Sequence, residues 1–226
     1  MRTSGLVAGR HLGSGHRHDR HVTAYYAVAP TVFQGIIVRW RRCKPPAPTQ
    51  LAPIDAYTFI DVGAGMGRAM LLAANYPFRA VIGVELHPTL ARIARRNLAL
   101  WRAADRARAP MRMYCRDATD FPIPAGPCVA FLFNPFGAPV LRRLLRVWSR
   151  ALAERTGQLD ILYVNNEQEN VLRREPGFER LFHGQIRRSH ADAVADRTIL
   201  KRQPGAEYAA PGWEDCSIYR WVGSQQ

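Results

Sequence analysis

The sequence predicts a doubly wound α/β domain: a mostly parallel seven-stranded sheet with helices on both faces, plus an N-terminal helical segment. Three observations carry this expectation. From residue 57 onward, short apolar runs alternate with stretches of helical periodicity, the pattern of a parallel sheet covered on both sides. A glycine-rich turn follows the first of those runs directly. An acidic residue stands at or just past the end of each of the first three.

Residues 1–22 are rich in Gly, His, Arg and Ser and hold few apolar anchors, so their composition predicts a mobile basic tail. His11, His16, His18 and His21 are metal-ligand types, but nothing around them supplies a scaffold, and no metal site is expected. Residues 23–52 form an N-terminal helical segment and a linker. Tyr25, Tyr26, Val28, Val32, Phe33, Ile36, Ile37 and Trp40 recur at helical spacing, with Pro30 suited to a first turn. Pro45, Pro46, Pro48 and Pro53 then stiffen the chain into the main domain, residues 53–226.

Within that domain, strands are predicted over Tyr57–Val62, Ala80–Val84, Met111–Cys115, Val129–Phe133 and Asp160–Val164. Phe178–Ile186 and Cys216–Val222 complete the sheet as an antiparallel pair at its edge. Helices are predicted over Gly67–Asn75, Pro88–Trp101 and Pro139–Ala153. In the second of these, Leu90, Ile93, Ala94, Asn97, Leu98 and Trp101 share one face, while Arg92, Arg95, Arg96 and Arg102 point largely to water.

The apolar runs are too short to cross a bilayer, and no apolar stretch follows the first basic residues as in a secretory signal. The four cysteines, Cys43, Cys115, Cys128 and Cys216, lie far apart and form no C-x-x-C pair; reduced thiols and a cytoplasmic location are expected. The net charge is +14, nearly all of it arginine, since lysine occurs only at Lys44 and Lys201. Two readings stand side by side: a solvated basic surface of an arginine- and alanine-rich composition, or an electrostatic footprint for RNA, DNA or an acidic protein.

The sharpest feature is Phe59-Ile60-Asp61-Val62-Gly63-Ala64-Gly65-Met66-Gly67-Arg68. Glycines at 63, 65 and 67 allow a tight turn and bring backbone N–H groups against a ligand at the end of the strand. A dinucleotide loop of the form G-x-G-x-x-G needs its third glycine at 68, where Arg68 stands, which argues against a nicotinamide cofactor. An acid two residues before Gly63 suits a ligand with an amino-acid moiety, because Asp61 can receive its ammonium and would repel a diphosphate. Glu85, ending the next strand twenty-two residues after Gly63, is positioned to accept from both ribose hydroxyls. Asp117 follows the third strand and can take the exocyclic amine of adenine, with the Ala118 N–H reaching a ring nitrogen.

Residues 57–165 resemble a class I S-adenosylmethionine (SAM)-dependent methyltransferase, with Asp61–Gly67, Glu85 and Asp117 matching the first three motifs of that family. The resemblance implies SAM as cofactor and a seven-stranded sheet whose last strand is antiparallel. The N-terminal helical segment and residues 201–213 lie outside it and would carry substrate choice.

The fourth strand ends in Asn134-Pro135-Phe136, similar to the Asn/Asp-Pro-Pro-aromatic motif of methyltransferases that act on nitrogen. It departs from that motif in having one proline and its aromatic in third place. In this reading the Asn134 carboxamide oxygen holds an acceptor N–H and Phe136 packs against it; the alternative is a turn cap at Asn134 and a core aromatic at Phe136. Tyr25 or Tyr26 either closes over the cofactor as a lid or packs into the core. A catalytically silent SAM-binding partner subunit is the other reading of the whole.

Overall fold

The computed structural model describes residues 1, 3, 6–7, 13–46, 49–155, 157–202 and 212–223. His11 and Leu12 of the tail, Pro48 of the linker and residues 203–211 of the 201–213 stretch lie outside the described residues.

The domain is built on strands β3 (Thr58–Val62), β4 (Ala80–Glu85), β5 (Met111–Cys115), β6 (Cys128–Phe133), β7 (Leu159–Val164), β8 (Phe178–Arg187) and β9 (Trp213–Trp221). Among the described residues they form one seven-stranded sheet in the order β5-β4-β3-β6-β7-β9-β8. The first five are mutually parallel. Strand β9 is inserted antiparallel between β7 and β8. The chain order therefore reverses at β3, with β4 on one side and β6 on the other. That is where a doubly wound sheet opens its ligand crevice.

Helices α1 (Pro30–Arg42), α2 (Arg68–Ala73) and α3 (Pro88–Ala103) pack on one face of the sheet, and α4 (Ala138–Ala151) and α5 (Glu169–Arg174) on the other. Proline in the first turn starts α1, α3 and α4, where a missing N–H costs nothing. The stripe Val32, Phe33, Ile36, Ile37 and Trp40 of α1 is wholly buried, as its spacing predicts. Arg92, Arg95, Arg96 and Arg102 of α3 are exposed, again as expected.

One buried ionic cluster fastens α1 to the sheet. Asp160 of β7 accepts Nε and Nη2 of Arg220 on β9, each at 2.7 Å, and the Trp40 indole N–H at 2.8 Å. Its partner Arg220 is fully buried. A buried charge is tolerated only when paired and hydrogen-bonded in this way.

Two α-helices and two strands lie outside the sequence-based expectation, α5 among them. Helix α6 (His190–Arg202) follows β8 and is held at its start by Asp192, which accepts from the Thr31 N–H of α1 at 3.0 Å. Arg188, Asp196 and Glu214 form a buried ion-paired cluster beside it. Strands β1 (Leu6–Val7) and β2 (Tyr25–Tyr26) pair antiparallel as a short separate ribbon. The tail itself departs from the picture of a free segment, because from Ser14 onward it makes defined contacts. Asp19 accepts from the Ser14 N–H and hydroxyl, both at 2.7 Å, and from the His16 N–H at 3.0 Å. These local bonds close a polar turn that needs no apolar anchor.

Candidate functional site

The carboxyl ends of β3, β4, β5 and β6 surround one pocket that is partly open to solvent. Asp61, Gly63, Glu85, Asp117 and Ala118 all line it, together with Phe133, Pro135 and Phe136. Three acids from three neighbouring strands thus converge on one cavity, as their order along the sequence predicts.

The remaining expected site residues lie elsewhere. Gly65 and Gly67 do not line the pocket. A Cβ on Gly65, whose φ is +53°, would meet the Tyr25 ring at 2.0 Å, so the space above it is already filled. Gly67 heads α2 and packs on Ala94 of α3. Nor do the loop N–H groups reach for a ligand. Those of Gly63 and Ala64 donate to the Val84 carbonyl at 2.9 and 3.1 Å, and that of Gly65 donates to Glu85 Oε2 at 2.7 Å. The loop spends its donors on β4, which suits a ligand without phosphates. Gly63 does face the cavity, with a φ of +73°, and a Cβ there would strike Pro135 at 2.5 Å. Only glycine allows the two loops to close on each other here.

Asn134 directly follows β6 and is not among the residues that line the pocket. It has a φ of +41°, a left-handed conformation that Asn tolerates better than most residues. Its carboxamide oxygen accepts from the Tyr163 hydroxyl of β7 at 3.4 Å. The neighbouring side chains, Phe133, Pro135 and Phe136, form the wall.

The acids are electrostatically distinct. Burial, reinforced by the nearby Glu85 charge, pushes the Asp61 carboxyl up to about 8. Its Oδ2 is buried and has no hydrogen-bond partner among the described residues. Burial also raises Glu85, against the opposing N–H bonds from His87 and Gly65. For Asp117 burial acts upward as well, but the Thr119 N–H and hydroxyl, then His18 and His16, outweigh it and hold the group below its ordinary value. Asp117 Oδ1 takes the Thr119 N–H at 2.8 Å, which leaves Oδ2 as the oxygen not committed to its own turn.

Three contributors were not singled out as site residues from the sequence. Asn97, buried on α3, donates to the Met66 carbonyl at 2.9 Å and pins the glycine loop from behind. An amide on an otherwise apolar stripe was the available signal. Arg68, which ends the glycine motif, and His18, one of the tail histidines, line the cavity too. Tyr25 lies on the glycine loop and at the cavity wall, with its hydroxyl donating to the Thr3 carbonyl at 3.0 Å.

The sequence matches no family model and no curated protein. Solved structures do share its architecture. The [4+2]-cyclase SpnF superposes with a TM-score of 0.53 at 17% identity, covering 74% of this chain and 76% of its own. TrmN from Thermus thermophilus superposes with a TM-score of 0.50 at 15% identity, covering 86% of this chain and 49% of its own. This chain thus spans about half the length of TrmN. The shared fold is a doubly wound, mostly parallel α/β sheet. Its seven strands with an antiparallel last member agree with what the resemblance implied. Among the described residues no helix is long and apolar enough to cross a membrane.

Proposed function

We propose that this chain is a SAM-dependent methyltransferase that transfers a methyl group to a nitrogen acceptor. The observation that carries the cofactor half is the convergence of Asp61, Glu85 and Asp117, with Gly63 and Ala118, on one cavity at the switch point of the sheet. The residues fit SAM chemically. Asp61, whose Oδ2 has no hydrogen-bond partner among the described residues, would release its proton and pair with the ligand's ammonium. Glu85 retains acceptor capacity for ribose hydroxyls beside its two backbone bonds, and Asp117 Oδ2 would take an adenine amine.

SAM supplies a methyl group on a sulfonium leaving group. What the protein must add is alignment in a pocket that excludes water. In this reading Pro135 and Phe136 give a flat apolar wall for a planar nitrogen acceptor. Asn134 holds the acceptor N–H by exchanging its long 3.4 Å bond to Tyr163 for one to substrate. The fold alone does not choose the reaction, since SpnF, a [4+2]-cyclase, shares it. Calorimetry with SAM, followed by transfer of labelled methyl groups to fractions of RNA, DNA, protein and small molecules, tests the proposal. SAM binding without transfer to any fraction would favour the silent partner subunit.

One observation favours a polyanionic acceptor among these. Arg92, Arg95, Arg96 and Arg102 of α3 and Arg142, Arg143, Arg146 and Arg150 of α4 are all exposed, and neither helix contains an acid. A cytoplasmic location belongs to the same reading, in keeping with four free cysteines.

A further inference from the structure

The tail reaches the cofactor pocket. His18 Nδ1 lies 2.7 Å from Asp117 Oδ2, and His16 Nε2 lies 3.6 Å from the same oxygen. Both atoms are shielded from water, and neither has a hydrogen-bond partner among the described residues, so the contact is an ion pair by proximity and not a formed hydrogen bond. The turn that presents the two histidines is closed on Asp19, as described above, and continues into a second anchor. The His21 carbonyl accepts from the Gly137 N–H at 2.8 Å, the Thr23 N–H donates to the Pro135 carbonyl at 3.4 Å, and Val22 forms a bridge with Phe136. The segment therefore runs from the end of β5 to the end of β6 across the mouth of the pocket. His18, Val22, Thr23 and Tyr25 become part of its wall.

We infer that residues 14–22 are a clasp closed by His18 on Asp117, and that the adenine of the cofactor enters only by displacing His18 from that carboxylate. The inference rests on the SAM-binding reading of Asp117. The competition is for one atom. Oδ1 is held by the Thr119 N–H, so Oδ2 is the oxygen an adenine amine needs, and it is the oxygen His18 occupies.

The same three side chains have the composition of a metal site. The hydrogen bond that His16 accepts points to a proton on its other nitrogen instead. His16 Nδ1 accepts the His18 N–H at 3.2 Å and so carries no proton, which puts the proton of a neutral His16 on Nε2, facing Asp117. A metal-bound Nε2 would require the reverse tautomer. The 2.7 Å approach of His18 Nδ1 to the carboxylate is attractive when that nitrogen carries a proton.

Closure of a clasp lowers apparent affinity by the fraction of open molecules, so opening it should tighten binding. SAM affinity is measured by calorimetry for the wild type, His18→Ala and His18→Asn. Trypsin cleavage after the exposed Arg17 and Arg20 is followed in parallel, without ligand and with saturating SAM. The expected result is about three- to tenfold tighter SAM binding in His18→Ala, the scale of losing one competing ion-pair contact. Cleavage should be slow in the ligand-free wild type, and fast in His18→Ala and in the SAM-bound wild type. Unchanged or weaker SAM binding in His18→Ala overturns the clasp, as does equally fast cleavage in all ligand-free proteins. If no variant binds SAM, the cofactor reading fails and the displacement step with it, while the cleavage rates still decide whether the segment is closed by His18.

Discussion

Glu85 Oε2 accepts the Gly65 N–H at 2.7 Å, so the acid expected to hold a ribose also ties down the glycine loop. Its other oxygen takes the His87 N–H at 2.8 Å at the start of α3. Glu85→Ala should therefore do two things. It should weaken SAM binding through the lost ribose contacts, and it should destabilise the ligand-free protein by about 1–3 kcal/mol, because buried N–H groups lose their acceptor. Glu85→Gln keeps one carbonyl oxygen and should recover part of the stability but little of the affinity. Urea unfolding and calorimetry on both variants separate these effects; an alanine variant as stable as wild type would mean the loop does not depend on Glu85.

Asp61 gives a pH dependence with a definite sign. Its carboxyl ionises near about 4 in an unfolded chain and near about 8 in the folded one. Between those values the native state holds a proton that the unfolded state has released. The stability that Asp61 contributes is thus highest below about 4, falls as pH rises through the window, and levels off above about 8. The raised Glu85 contributes in the same direction. Asp61→Asn should flatten the slope of stability against pH between 5 and 8 without abolishing it, since Glu85 remains. Denaturant unfolding at several pH values reads this out, and an unaltered slope would show that Asp61 is ionised in the folded protein.

The buried Asp160–Arg220 pair makes a sharper stability test. Removing Asp160 leaves the guanidinium of Arg220 and the indole N–H of Trp40 without the acceptor they share. Asp160→Ala should cost about 3–5 kcal/mol, the penalty for stranding a buried charge. The double variant Asp160→Leu with Arg220→Met should recover much of that loss. A cheap Asp160→Ala would indicate that water reaches Arg220.

The parts of this molecule that the sequence discloses are those held by apolar periodicity. Strands β3, β4, β6, β7 and β9 and the helices α1 to α4 announce themselves through buried runs or stripes, β5 and β8 through short apolar runs that stay only partly buried, and the three acids follow from their positions past successive strands. Helix α6 does not, because it is fastened by Asp192, Asp196 and Arg188 rather than by an apolar face. The Ser14–Asp19 turn is hidden for a related reason: hydrogen bonds to one carboxylate hold it, and composition registers only its polarity. The direction of the loop N–H groups could not be read either, since a glycine pattern gives the turn but not which neighbour receives its donors.

The exposed arginines of α3 and α4 bear on the acceptor. If they recruit a nucleic acid, affinity should fall steeply as salt rises, through release of counterions from the phosphates. Arg95→Glu combined with Arg96→Glu should weaken binding and reduce the salt slope by about two, one for each lost phosphate contact. Filter binding over a salt series measures both. Binding that is absent at low salt would point to a protein or small-molecule acceptor.

Asn134 decides whether the acceptor is nitrogen. Its left-handed backbone and its contact with Tyr163 make alanine a poor probe, because a loss of activity could come from a disturbed turn. Glycine adopts that conformation freely and removes only the carboxamide. If the carboxamide oxygen leaves Tyr163 to hold an acceptor N–H, that bond strengthens as positive charge builds on the nucleophile, so its loss falls on the chemical step more than on binding. Asn134→Gly should then keep SAM affinity within a few-fold and lower the single-turnover rate by about 10²-fold, the scale for one preorganised polar group. Tyr163→Phe removes only the competing hydroxyl and should leave the rate within a few-fold. A glycine variant that transfers methyl groups at the wild-type rate would assign the carboxamide to the turn alone, and the nitrogen acceptor would lose its holder.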